Sequence, residues 1–142
     1  MTTEQNPATV LGMLDAAWNR GDITAIDQAV ASDHIEHEPD GDEIGREHLA
    51  DTILAYRVAF PDLHMTFDDQ ICERDRVVTR WTCKGTHLGE FNGIAATSRT
   101  AEVCGVFIHR LADGQITETW TSFDGLGLLE QLGVIPVQPA RD

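Results

Sequence analysis

The hydrophobic period of this chain changes at Pro61, and that change constrains the fold more than any other feature. Before Pro61, Val10, Leu11, Leu14, Ala17 and Trp18 recur at helical spacing, and the stripe ends at Gly21. Asp22 is placed to cap a short second helix carrying Ile23, Ile26 and Val30. A third helix starts near Arg46, shows Leu49, Ile53, Tyr56 and Phe60 on one face, and stops at Pro61. Beyond it the period is two. Leu63, Met65 and Phe67 alternate with polar residues, and strands follow over Val77 to His87, Val103 to Leu111 and Ile116 to Asp124. Glu73 to Arg76 reads as a turn, Asp113-Gly114 as a tight hairpin turn, and Leu88 to Ser98 as a longer loop. Leu126, Leu129 and Leu132 suggest a last short helix ending at Gly133. Three helices followed by an antiparallel meander predict an α+β fold, with the N-terminal helices packed on one face of a curved antiparallel sheet.

The 142 residues fit one domain spanning 1–142, and 42% hydrophobic content supplies a core without metal or disulfide. The formal net charge of −14 repels phosphate backbones and anionic lipid, so neither nucleic acid nor a membrane is an expected partner. Cys72, Cys83 and Cys104 are too widely spaced for a zinc or redox motif and read as buried, reduced thiols. With a polar, acidic start and no long apolar run, the expected location is the cytoplasm.

A two-residue turn at Asp113-Gly114 would place Leu111 opposite Ile116, His109 opposite Glu118, Phe107 opposite Trp120 and Val103 opposite Asp124. Glu118, Trp120, Ser122 and Asp124 would then face inward and Thr117, Thr119 and Thr121 outward. On the earlier strand, Trp81, Cys83 and His87 share the inner face, opposite Arg76, Arg80 and Lys84. Aromatic residues interrupted by ionisable ones describe a ligand pocket better than a packing surface, because an unpaired buried charge costs several kcal/mol.

Asp124 is the candidate acid/base group, since an apolar cavity raises a carboxyl pKa; its plainer role is a helix cap. His87 is the second catalytic candidate, weighed against anchoring the loop at Gly89. Trp81, Phe107, Trp120 and His37 are expected to line the cavity or its mouth, with His109 and Glu118 as a cross-strand pair in its wall. His34 and His37 have no further ligands at suitable spacing, and no dinucleotide or phosphate motif is present, so neither metal nor cofactor is expected. Val106 and Ile108 beside Arg80 and Lys84 on the outer face suggest a homodimer or homotetramer.

Several segments, in order, resemble the SnoaL-like polyketide cyclase family. They are Asn19-Arg20-Gly21-Asp22, Ile35-Glu36-His37, Ala59-Phe60-Pro61-Asp62, Gly85-Thr86-His87-Leu88-Gly89, Ile108-His109-Arg110, Asp113-Gly114-Gln115-Ile116, Trp120 and Gln131-Leu132-Gly133. The resemblance implies a ketosteroid-isomerase-like cone with an enclosed cavity. It also implies cofactor-independent acid/base chemistry on a small hydrophobic polyketide-like carbonyl compound, and assembly as dimers or tetramers. The family's catalytic aspartate falls at Thr121 and its histidine partner at Phe107, and neither side chain can carry a proton. The alternative expectation is therefore a non-catalytic small-molecule binding protein with the same cavity.

Overall fold

The computed structural model describes residues 3–136. Helix α1 (Asn6–Leu14) buries Val10, Met13 and Leu14 and runs on into a π-helical turn, Asp15–Asn19. Gly21, at φ 68°, ends it in a left-handed conformation that glycine adopts without strain. Asp22 accepts the Thr24 N–H (3.1 Å) at the start of α2 (Thr24–Ala29). Helix α3 (Arg46–Ala59) buries Leu49, Ile53 and Ala59, and α4 (Gly125–Gln131) buries Leu128.

Six strands form one curved, unclosed sheet: β1 (Val30–Glu38), β2 (Gly41–Ile44), β3 (His64–Glu73), β4 (Arg76–Thr86), β5 (Thr100–Ala112) and β6 (Gln115–Phe123). Their order is β2-β1-β6-β5-β4-β3, antiparallel except where β1 lies parallel to β6. Helices α1 and α3 cover the concave face, and the core lies between them and the sheet. The α+β class and the helix-covered curved sheet agree with the sequence reading. The hairpin β1–β2 does not: Val30, assigned above to the second helix, is the first residue of β1.

The turn Asp113-Gly114 has positive φ at both residues (52° and 77°), as the dipeptide predicts, and Leu111 faces Ile116. The register then slips. Thr117 is an extra residue on β6, so Arg110 pairs with Glu118, His109 with Thr119, Ile108 with Trp120 and Phe107 with Thr121. A one-residue slip exchanges the two faces of a strand. Thr119 and Thr121 therefore turn inward, while Glu118 and Trp120 move to the convex face. The expected pairing of His109 with Glu118 is replaced by Arg110 Nη2 donating to Glu118 Oε1 at 3.0 Å.

The cysteine reading also changes: Cys72 and Cys104 are exposed, and Cys83 is half-buried beside the cavity, where burial pushes its thiol up to about 12. Among the described residues, no helix is long and apolar enough to cross a membrane.

Candidate active site

The concave face and helices α1, α3 and α4 enclose a cavity of about 380 Å³. Its walls are aromatic. Trp18, in the π-helical turn, stacks on Phe107 at 6.4 Å, Phe107 stacks on Trp81 at 5.2 Å, and Tyr56 of α3 tilts against Trp18 at 5.7 Å.

Both carboxyl groups in the cavity lining come from β1, a strand that the hydrophobic period does not show. Strand alternation sets Glu36 and Glu38 toward the cavity, and His34, two residues earlier, is fully buried beside Thr119. Thr121 Oγ1 donates to Glu36 Oε1 at 3.3 Å, and Glu36 Oε2 is buried without a partner. Burial raises the Glu36 carboxyl to about 7, against the opposing effect of the Thr121 hydrogen bond. His34 Nε2 is hydrogen-bonded to Thr119 Oγ1 at 2.8 Å and lies 4.0 Å from Glu36 Oε2. Burial, followed by the nearby His37, lowers His34 to about 4, so the approach to Glu36 is no ion pair at neutral pH. His109, across the β5–β6 ladder from Thr119, is lowered to about 3 by burial and then by His34, and its Nδ1 has no partner. The cavity thus holds a carboxyl that titrates near neutral pH, with uncharged His34 beside it on β1 and uncharged His109 two strands away on β5. Such a carboxyl can give or take a proton at physiological pH.

Of the residues singled out from the sequence, Trp81, Phe107 and His109 line the cavity. His37 reaches its rim, with its ring stacked on Trp120 at 4.6 Å and Nδ1 2.8 Å from Asp42 Oδ1. Trp120 and Glu118 lie on the convex face for the reason given by the bulge. Asp124 is exposed and accepts the Gly127 N–H at 2.8 Å as the N-cap of α4, so its carboxylate is outside the cavity wall. His87 is buried but faces the loop: its Nδ1 accepts the Thr97 N–H (3.2 Å), and its ring stacks on Phe60. Neither Asp124 nor His87 is among the residues that line the cavity, whose carboxyl groups are Glu36 and Glu38. The available signal was the alternation of His34, Glu36 and Glu38 around Ile35.

At the mouth, Glu38, Glu43 and His48 bring ligand atoms within 4.8 Å of one another. They already pair among themselves: His48 Nε2 lies 3.0 Å from Glu38 Oε1, and that hydrogen bond raises the His48 pKa.

The sequence model of the SnoaL-like polyketide cyclase family matches residues 8–132. The chain belongs to the SnoaL-like polyketide cyclase family. AclR, a proposed hydroxylase from Streptomyces galilaeus, is 30% identical, with TM-score 0.85 over 97% of this SnoaL-like chain and 87% of its own. IdmH, a proposed polyketide cyclase from Streptomyces antibioticus, is 31% identical, with TM-score 0.78 over 91% of this chain and 99% of its own. A SnoaL-like protein from Jannaschia at 24% identity shares the fold, with TM-score 0.86 and 94% of each chain covered. No curated protein matches the sequence. Glu36 stands on β1, next to β6, and hydrogen-bonds to Thr121.

Proposed function

We propose that this SnoaL-like protein is an acid/base enzyme acting on a small, largely apolar, polyketide-like carbonyl compound, with Glu36 as the proton-transfer group. The observation that carries the reading is the Glu36 carboxyl: raised to about 7, held at one oxygen by Thr121, and unpartnered at the other in an aromatic cavity. In the proposed step Oε2 takes a proton from the carbon next to the substrate carbonyl. The C–H electron pair moves into the enolate, and the protonated Glu36 returns the proton to the product. The step moves only protons and needs no cofactor.

Hydrogen–deuterium exchange at the α-carbon of 1-tetralone in heavy water, followed by NMR, tests this without knowledge of the natural substrate. Wild-type protein should accelerate the exchange, and Glu36→Gln should slow it by roughly 10²-fold or more. Full exchange in Glu36→Gln would remove Glu36 from the chemistry. Tetralone bound by wild type but exchanged at the background rate would favour the non-catalytic binding protein, a reading supported by Thr121 and Phe107 at the family's acid/base positions. Exchange is also expected to survive EDTA; its loss would direct attention to Glu38, Glu43 and His48.

A further inference from the structure

We propose that the Trp81 indole N–H is a second recognition point in this cavity, donating a hydrogen bond to an uncharged substrate oxygen other than the carbonyl at Glu36; this deepens, and rests on, the enzymatic reading above. Trp81 is 4% exposed and lines the cavity, yet its Nε1 has no hydrogen-bond partner. A buried donor left alone costs about 1–3 kcal/mol, so a partner supplied by a ligand has a definite energetic role. The stacked neighbour Phe107 does not serve. The indole stacks on Phe107 with 29° between the ring planes, so an N–H lying in the indole plane runs alongside the Phe107 face and not into it. The position is built: Gly105 faces Trp81 across the ladder, and a Cβ there would overlap the indole atoms Cζ2 and Cε2.

The chemistry of the ligand follows from the donor. An indole N–H only donates, so the ligand must offer an acceptor, whereas a neutral histidine would accept either polarity. Among the described residues, the wall includes Glu36 and Glu38 and no Lys or Arg, so a carboxylate or phosphate would enter against like charge. A ketone, ester or ether oxygen fits. Gly105, over which the indole lies, marks the level of Trp81, and the Glu36 carboxyl is bonded to Thr121, opposite Phe107. Two residues of β5 and one strand spacing separate the two points, about 8 Å at roughly 3.3 Å per residue and about 4.8 Å between strands. The substrate should therefore carry two oxygens about that far apart on an apolar body.

The test uses 1,4-diacetylbenzene and its hydrocarbon counterpart 1,4-diethylbenzene with protein labelled with nitrogen-15 at its three tryptophans. The diketone should move the Trp81 indole N–H resonance downfield, and the hydrocarbon should leave it in place. Trp81→Phe should weaken the diketone roughly fivefold more than it weakens the hydrocarbon, the worth of one hydrogen bond. An indole resonance unmoved by bound diketone, equal weakening of both ligands, or failure of wild type to bind either would overturn the proposal. The wild-type spectrum decides even if Trp81→Phe folds poorly. Loss of the Trp81 response with Glu36-dependent exchange intact would refute this inference alone; the reverse pattern would refute the acid/base reading.

Discussion

His34 and Glu36 stand two residues apart on one strand, and burial drives both toward neutrality from opposite directions. Glu36, raised from 4.5 to about 7, keeps its proton in the folded protein after the unfolded chain has lost it. Its contribution to stability is therefore lost as pH rises from 4.5 to about 7. His34 and His109, lowered from 6.5 to about 4 and about 3, act the other way, and their contribution is lost as pH falls below 6.5. Glu36→Gln removes the first effect. Its melting temperature relative to wild type should climb between pH 5 and pH 8, with a ceiling of roughly 3 kcal/mol. A constant offset across that range would contradict the raised Glu36. Thr121 donates the hydrogen bond that favours ionised Glu36, so Thr121→Val should raise the carboxyl further. The rising limb of the pH–rate profile for tetralone exchange should then move upward by roughly half a unit, one modest hydrogen bond. An unmoved limb would place the active proton elsewhere.

At the scale of elements, Asp124 illustrates a carboxylate whose position is set by a helix end. Asp124→Ala should cost about 1 kcal/mol by denaturant unfolding, Asp124→Asn less, and both should keep wild-type exchange activity; a hundredfold loss of activity in Asp124→Asn would restore it as a catalytic candidate. The contrast with Glu36 shows what the sequence could and could not reveal. Strands β4 to β6 were legible because Val77, Trp81, Phe107, Leu111 and Ile116 alternate with exposed residues along local stretches. Strand β1 was not. It is held by parallel pairing to β6, far away in the chain, and the residues it turns toward the cavity, Glu36 and Glu38, are acidic. A polar inner face looks like a turn until a cavity explains it. The bulge at Thr117 was equally hidden, because one extra residue leaves no mark in composition. It nevertheless decides that Thr119 and Thr121, and not Glu118 and Trp120, meet the buried polar groups. The cavity and two of its wall aromatics, Trp81 and Phe107, were readable; Glu36, the proposed proton-transfer group, was not.

The molecule as a whole has two unlike sheet faces. The concave one is covered by helices, while the convex one presents half-buried Val78, Val106, Ile108 and Trp120, and among the described residues no helix packs over its centre. Ile108 pairs with Val78 on one side and Trp120 on the other, so the apolar residues form a continuous band across β4, β5 and β6. Around it lie Arg76, Arg80, Lys84 and Arg110 together with Asp68 and Glu118, both signs on one surface. A two-fold axis needs such self-complementarity, since each copy must offer both partners of every contact. We therefore expect a homodimer through this face, despite the repulsion expected of a chain with net charge −14. Light scattering at micromolar concentration should give twice the chain mass of 15.7 kDa. Ile108→Glu puts a carboxylate at the centre of the band and should yield monomers. Because Ile108 points away from the cavity and Glu36, Thr121 and Trp81 all come from one chain, that monomer should keep its tetralone exchange. A wild-type monomer would refute the interface, and a dimer unaffected by Ile108→Glu would move it to another surface.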